Sequence, residues 1–290
     1  MTQENKQTAS RKKAPALALI GAGRMGGAMM RGWLASGLVR SSKAHVFEPT
    51  PQPDLIALAD EFGLKLNPDM EKLAKQKGVD LAVLAVKPQV MATVLPTYQP
   101  LWGGDCGLPL TISIAAGVSL ASLGALLPDG TPIIRAMPNT PAAIGQGVTA
   151  LIGNAHVTEA GYAQAEALLA AVGTVVRLDN EGQMDAVTAV SGSGPAYVFH
   201  LAECLTAAGT RAGLPEKMAA QLAIGTVTGA AGLLDQSADD PAALRQMVTS
   251  PGGTTAAALD ILMGDKGLRD LMSRAVSAAA ARSKELDQKN

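Results

Sequence analysis

The sequence predicts an α/β protein, with an N-terminal Rossmann-type, doubly wound parallel sheet followed by an all-helical C-terminal domain. Three observations predict it. A short apolar run leads straight into a GxGxxG glycine pattern, strand and helix signals alternate as far as Leu178, and beyond Leu178 the strand signals stop. A chain of 290 residues suits two domains rather than one.

The first element, Ala16-Leu-Ala-Leu-Ile20, is wholly apolar, as expected of a central parallel strand buried on both faces. It runs into Gly21-Ala22-Gly23-Arg24-Met25-Gly26 and then a helix from Gly27 to Ser36, closed by Gly37. In a dinucleotide fold each glycine has a task. Gly21 permits the tight strand-to-helix turn, Gly23 lets a pyrophosphate approach the backbone, and Gly26 lets the helix pack closely on the strand. The helix N-terminus then faces the phosphates with free N–H groups. A second apolar strand, Ala44-His-Val-Phe-Glu48, ends in an acid about 20 residues past Gly26, the spacing of the ribose-binding carboxylate.

The alternation continues with a helix over 54–62, a buried strand over 79–86, and a helix from Gln89. Next come a strand at 110–115, a helix at 120–127, and strands at 131–137 and 147–152. A helix over 158–171 and a strand over 174–178 close the unit. In open parallel sheets, ligands bind at the carboxyl ends of strands. That rule singles out Ala85-Val86-Lys87-Pro88, Ala115-Ala116-Gly117 and Met137-Pro-Asn139-Thr-Pro141, with Lys87 and Asn139 placed to line the nicotinamide end of a dinucleotide.

Composition narrows the function classes. Hydrophobic residues make up 48% of the chain but aromatics only 3%, so the core is built from small and aliphatic side chains that suit helix packing. A net charge of −1, with both signs spread along the chain, gives no basic face for nucleic acid. Cys106 and Cys204 lack CxxC or CxxH spacing, which argues against a disulfide framework and a structural zinc site and fits a reducing cytoplasm. No other metal-ligand cluster is evident, and His45, His156 and His200 stand isolated in the sequence. Residues 1–15 are polar and lack the apolar core of a signal peptide, so they read as a disordered tail. The uncharged stretch from Cys106 to Pro128 is long enough to span a bilayer, yet its strand, turn and short-helix signals read as buried elements of the sheet domain.

After Leu178, helices are expected over 180–190, 195–213, 215–234, 240–249, 252–263 and 266–287. Met218 to Leu234 carries no charge, and a helix apolar all round must be buried. A small helical domain has few places to hide it, so pairing with a second copy is expected, an isologous homodimer being the common solution. Within this domain, Ser250-Pro-Gly252-Gly253-Thr254-Thr255 opens a helix. Ser250 is a suitable N-cap and Pro251 a suitable first helical residue. The paired glycines expose backbone N–H groups, an anion-receptive arrangement beside two hydroxyls. A plain capped helix and a carboxylate site fit these residues equally.

At this point the chain resembles the pyrroline-5-carboxylate reductase family from Ala16 to Leu286. The resemblance is carried by "LRQMVTSPGGTTAAALDIL" (244–262), "AVKP" (85–88), "IRAMPNTP" (134–141) and "VSGSGPAYVF" (190–199), in the family's order. It implies an NAD(P)H-dependent oxidoreductase that reduces 1-pyrroline-5-carboxylate to L-proline, the last step of proline biosynthesis. It further implies that Thr255 bonds the pyrroline nitrogen, that Ser250 to Thr254 hold the carboxylate, that Glu181 lies near the substrate, and that the substrate site is built between two subunits. The expected division is 16–178 for the dinucleotide and 179–290 for substrate binding and dimerisation, with no nucleic acid, membrane or metal partner.

No paired carboxylates or Ser-His-Asp set accompany these motifs, and this chemistry does not require one. A protonated cyclic imine is already electrophilic, so positioning and electrostatics can supply much of the rate. Glu48 favours a free 2′-hydroxyl and hence NADH, because it repels a 2′-phosphate. Thr50 could bond such a phosphate if Glu48 turned away, so NADPH stays open. Two other functions compete. A β-hydroxyacid or imine reductase on the same plan would carry a lysine on the helix at 195–213, which has Glu203 and Arg211 but no lysine. A non-catalytic nucleotide sensor would not need the Ser250–Thr255 anion site.

Overall fold

The computed structural model describes residues 14–76, 78–103 and 107–287. Cys106, and the expected tail except Ala14 and Pro15 at its end, lie outside the described residues. The chain forms two compact units, one running through Val187 and taking back the chain from Ser283 on, the other spanning Thr188–Arg282.

Among the described residues, the first unit is built on seven strands: β1 Leu17–Ile20, β2 Ala44–Phe47, β3 Leu81–Leu84, β4 Leu110–Ser113, β5 Ile133–Met137, β6 Gly147–Gly153 and β7 Gly173–Arg177. Their order across the sheet is β2-β1-β3-β4-β5-β6-β7. Five strands from β2 to β5 run parallel, as the alternation predicts. β6 departs from that pattern and pairs antiparallel with β5. The cause is local: only a 3-10 turn, Thr140–Ile144, joins the two, and a parallel return needs a longer crossover.

The α-helices described in this unit are α1 Arg24–Ala35, α2 Pro53–Phe62, α3 Met70–Gln76, α4 Met91–Tyr98, α5 Leu120–Leu126, α6 Glu159–Ala170 and α7 Met184–Val187. Because successive strand residues face opposite sides, Leu17 and Leu19 enter one core with α1, α2 and α6, while Ala18 and Ile20 enter the other with α4 and α5. Trp33 on α1 donates its indole N–H to the Leu168 carbonyl at 2.8 Å, tying α1 to α6. β2 and β3 flank β1 on opposite sides, so the chain reverses direction there and leaves a crevice at the strand ends.

The second unit is helical throughout. A π-helical turn, Thr188–Gly192, leads into α8 Gly194–Arg211, α9 Glu216–Gln236, α10 Pro241–Met247, α11 Thr254–Leu262 and α12 Leu268–Asp287, whose last turn belongs to the first unit. α9 packs on α8 where Gly209 lies against Ala219. Strand signals stop near Leu178, yet the first unit continues to Val187 because Glu181 and Asp185 bond back into it. Among the described residues, no helix is long and apolar enough to cross a membrane.

Candidate functional site

The glycine loop sits at the crevice end of β1. Gly21 holds φ at +84°, and its N–H donates to the Phe47 carbonyl at 2.8 Å. A Cβ there would lie 2.8 Å from the Ala85 carbonyl oxygen and 2.9 Å from Val86 Cγ1, so β3's end permits only glycine. At Gly26 a Cβ would lie 2.7 Å from the Gly21 carbonyl oxygen, which is the close helix–strand contact expected of that position. Gly23 is the opposite case. It caps α1, and a Cβ there would meet nothing within 4 Å. The space over its backbone is open where the first-turn N–H groups of Arg24, Met25 and Gly26 have no carbonyl within the helix to bond. That cradle fits a dinucleotide pyrophosphate.

Glu48 follows β2 directly, at the place the spacing predicts. Its carboxylate turns toward the loop: Oε2 accepts the Ala22 N–H at 2.9 Å and Oε1 accepts the Thr50 N–H at 3.1 Å. Burial pushes the Tyr98 phenol above its ordinary pKa, and the negative charge of Glu48 adds to the effect. Tyr98 packs edge-on to Phe47 with ring centroids 5.2 Å apart.

At the neighbouring strand ends, Ala85 donates its N–H to the Ile20 carbonyl, and Lys87 stands exposed before a 3-10 turn opened by Pro88. Ala115 is buried and Ala116 exposed at the end of β4. Asn139 is only 8% exposed, and its Oδ1 accepts the Val148 N–H at 2.8 Å. It braces the β5–β6 turn from inside, so it shapes this wall of the crevice from behind.

Glu181 lies in a partly buried ionic knot around Arg135. Its Oε1 accepts from Arg135 Nη1 and from the Leu120 N–H, each at 2.8 Å. Arg135, on β5, is 3% exposed and also faces Asp287 Oδ2 at 3.6 Å. Sequence reasoning missed Arg135 and Asp287; a charged residue inside the apolar run Ile133-Ile134-Arg135-Ala136 was the available signal. His200, isolated in sequence terms, is not isolated in space: Nδ1 meets Glu203 Oε2 at 2.9 Å and Nε2 meets Cys204 Sγ at 3.5 Å along exposed α8.

The Ser250–Thr255 segment forms a turn and a helix start. One expectation needs correction, since the cap of α11 is Gly253 and not Ser250, and the helix begins at Thr254. Gly252 adopts φ +70°, which interrupts helical backbone after Pro251, while the Gly253 N–H donates to the Ser250 carbonyl at 3.0 Å. The correction moves both threonines into the first turn of α11. Their N–H groups and that of Ala256 thus have no acceptor within the helix, beside the two hydroxyls. No side-chain cap competes for those N–H groups. Thr255 is half-buried, and Thr254, Ser250 and Gly252 are exposed.

Comparison with known proteins agrees with both halves. Residues 181–286 match the family model described as pyrroline-5-carboxylate reductase dimerisation, and residues 16–117 match one described as NADP oxidoreductase, coenzyme F420-dependent. A pyrroline-5-carboxylate reductase of Pseudomonas aeruginosa is 41% identical over 94% of this chain and 97% of its own length. The solved pyrroline-5-carboxylate reductase of Coxiella burnetii superposes with a TM-score of 0.85 at 34% identity, over 94% of this chain and 99% of that one. A Plasmodium falciparum pyrroline carboxylate reductase, solved with NADP bound, gives 0.78 at 27% identity, over 94% and 98%.

Proposed function

The chain belongs to the pyrroline-5-carboxylate reductase family, and on that premise we propose that it reduces the C=N bond of 1-pyrroline-5-carboxylate, giving L-proline, with NADH or NADPH as reductant. The observation that carries the reading is the presence, in one chain, of an open glycine cradle for a dinucleotide and a bare helix start flanked by two threonines for a small carboxylate.

When bound, NAD(P)H supplies the hydride that adds to the ring's C=N carbon. The chain's residues bind, orient and manage the proton. The backbone N–H groups at the start of α1, those of Arg24, Met25 and Gly26, hold the pyrophosphate over Gly23, with exposed Arg24 adding positive charge and Ala22 bonding Glu48 beside them. Ala85 to Pro88, Ala115 and Ala116 wall the nicotinamide side, with Asn139 bracing the turn beside them. Glu48 faces the adenosine ribose. Because Glu48 already takes the Thr50 N–H, Thr50 has less to offer a 2′-phosphate, and NADH is the better partner.

At the other site, the Gly252–Gly253 turn and the first N–H groups of α11 hold the substrate carboxylate, with Ser250 and Thr254 adding hydroxyls. Thr255 orients the ring nitrogen and shares the proton that completes the amine. Positioning supplies much of the rate, since the protonated imine is already electrophilic. Glu181 acts by holding Arg135 and the start of α5.

The protein works as a homodimer, or a higher oligomer built from it, through its helical unit. Along α9, Leu222 and Leu233 are 54% and 63% exposed on one face, and Ile224 is 59% exposed on the opposite face. A helix apolar on opposite faces is covered within one chain only where α8 reaches it, and a second copy covers the rest. The exposed thiol of Cys204 suits a reducing cytoplasm, where we place the enzyme.

Replacing Thr255 by Ala tests the reading. We expect kcat to fall roughly tenfold to a hundredfold, as for loss of a group handling a proton, with the cofactor KM unchanged. An unchanged kcat contradicts the role.

A further inference from the structure

We propose that Asn67 is a positioning residue that sets the choice between NADH and NADPH by locking Glu48; the inference rests on the reading of Glu48 as the ribose-facing acid. Among the described residues, Asn67 is the one non-glycine residue with positive φ, at +48°. Asn enters that region more readily than other residues with a side chain, and here the turn has a reason beyond that preference.

The reason is visible in its bonds. β2 ends at Phe47, and on its outer side a single parallel bridge joins Val46 to Leu66. The Asn67 N–H donates to the Val46 carbonyl at 2.7 Å. The left-handed turn then points the carboxamide along the strand toward Glu48. Oδ1 accepts the Glu48 N–H at 2.9 Å, and Nδ2 donates to the Glu48 carbonyl at 3.0 Å. A carboxamide carries the same donor and acceptor as a peptide group, so Asn67 adds one more rung to the sheet just past its edge strand. Both main-chain groups of Glu48 are thereby fixed. From that fixed backbone the carboxylate reaches the Ala22 and Thr50 N–H groups. The carboxylate cannot swing outward to admit a 2′-phosphate without leaving its two hydrogen bonds, and the Glu48 backbone cannot shift to carry it away without leaving the two to Asn67.

The test compares kcat/KM for NADH against NADPH in the full-length protein carrying Asn67→Gly, Glu48→Gln, or both. Glycine accepts the left-handed backbone and deletes only the carboxamide, so the fold is kept. We expect Asn67→Gly to lower the NADH:NADPH ratio roughly fivefold, the scale of a lost hydrogen bond or two. Glu48→Gln should lower it at least as far, and the double variant no further than Glu48→Gln, because the two act through one group. An unchanged ratio in Asn67→Gly, with Glu48→Gln still shifting it, overturns the inference and leaves the Glu48 reading standing. Additive shifts in the double variant overturn it too, since Asn67 would then act by another route. An unchanged ratio in Glu48→Gln sinks the ribose reading and the inference with it.

Discussion

In the nucleotide unit every residue of β1 and β3 is fully buried, whereas between Thr188 and Arg282, all of them described residues, the buried apolar ones are Ala189, Ala219 and Ala223 alone. The larger apolar side chains of the helical unit, Phe199, Leu233, Met247 and Ile261 among them, lie exposed. The contrast separates two ways of being stable. A sheet covered on both faces completes its own core, while a set of Ala- and Gly-rich helices leaves its apolar surface for another copy of itself. On the proposed reading, cofactor binding belongs to a self-sufficient fold, and substrate binding belongs to the part that depends on assembly.

The change expected to break this contrast most completely is Ile224→Asp. A charge placed in the covered face of α9 costs several kcal/mol, so the dimer should dissociate and turnover fall roughly 100-fold or more. Sedimentation would show it, and a fully active dimer would place α9's Ile224 face outside the interface.

Within the nucleotide unit, two glycines sharpen the comparison between space needed by the ligand and space needed by the fold. A Cβ at Gly23 would meet nothing within 4 Å, so Gly23→Ala should cost only the poorer helix cap, about 1 kcal/mol or less. Its cofactor KM should nevertheless rise roughly tenfold, equivalent to about 1.4 kcal/mol of binding. Gly26→Val meets the Gly21 carbonyl and should lose about 1–3 kcal/mol of stability as well. Thermal melts beside cofactor titrations separate the two; equal melts would contradict the packing role of Gly26.

Glu181 gives a smaller and more pointed result. Removing it takes the 2.8 Å partner from the buried Arg135 guanidinium, which keeps the longer 3.6 Å contact to Asp287. A fully buried broken pair costs about 3–5 kcal/mol, and with the Glu181 side chain 31% exposed we expect about 2 kcal/mol for Glu181→Ala. If stability holds and substrate KM rises instead, Glu181 touches the substrate directly, as the family resemblance implies.

What the sequence revealed and what it hid follow one physical line. Gly21, Gly23, Gly26 and Glu48 were legible because their tasks are fixed by local geometry and by a spacing along the chain. The helices of the second unit were legible from Gly and Pro breaks, and the need for a partner from the uncharged run that became α9. The antiparallel turn of β6 was there to be read, since residues 138–146 leave no room for a crossover helix, but apolar strand signals carry no direction. The cap at Gly253 was hidden because Ser250-Pro251 is a good helix opening in isolation, and only the left-handed Gly252 cancels it. Asn67, Arg135 and Asp287 were hidden for a different reason. Their partners lie far along the chain, and no periodicity announces a contact of that kind.

The central claim is tested most directly by following NADH and NADPH oxidation, side by side, with 1-pyrroline-5-carboxylate as acceptor and the intact oligomer as enzyme. The account predicts turnover to proline with both, and a higher kcat/KM with NADH. Cofactor binding without any turnover would contradict it.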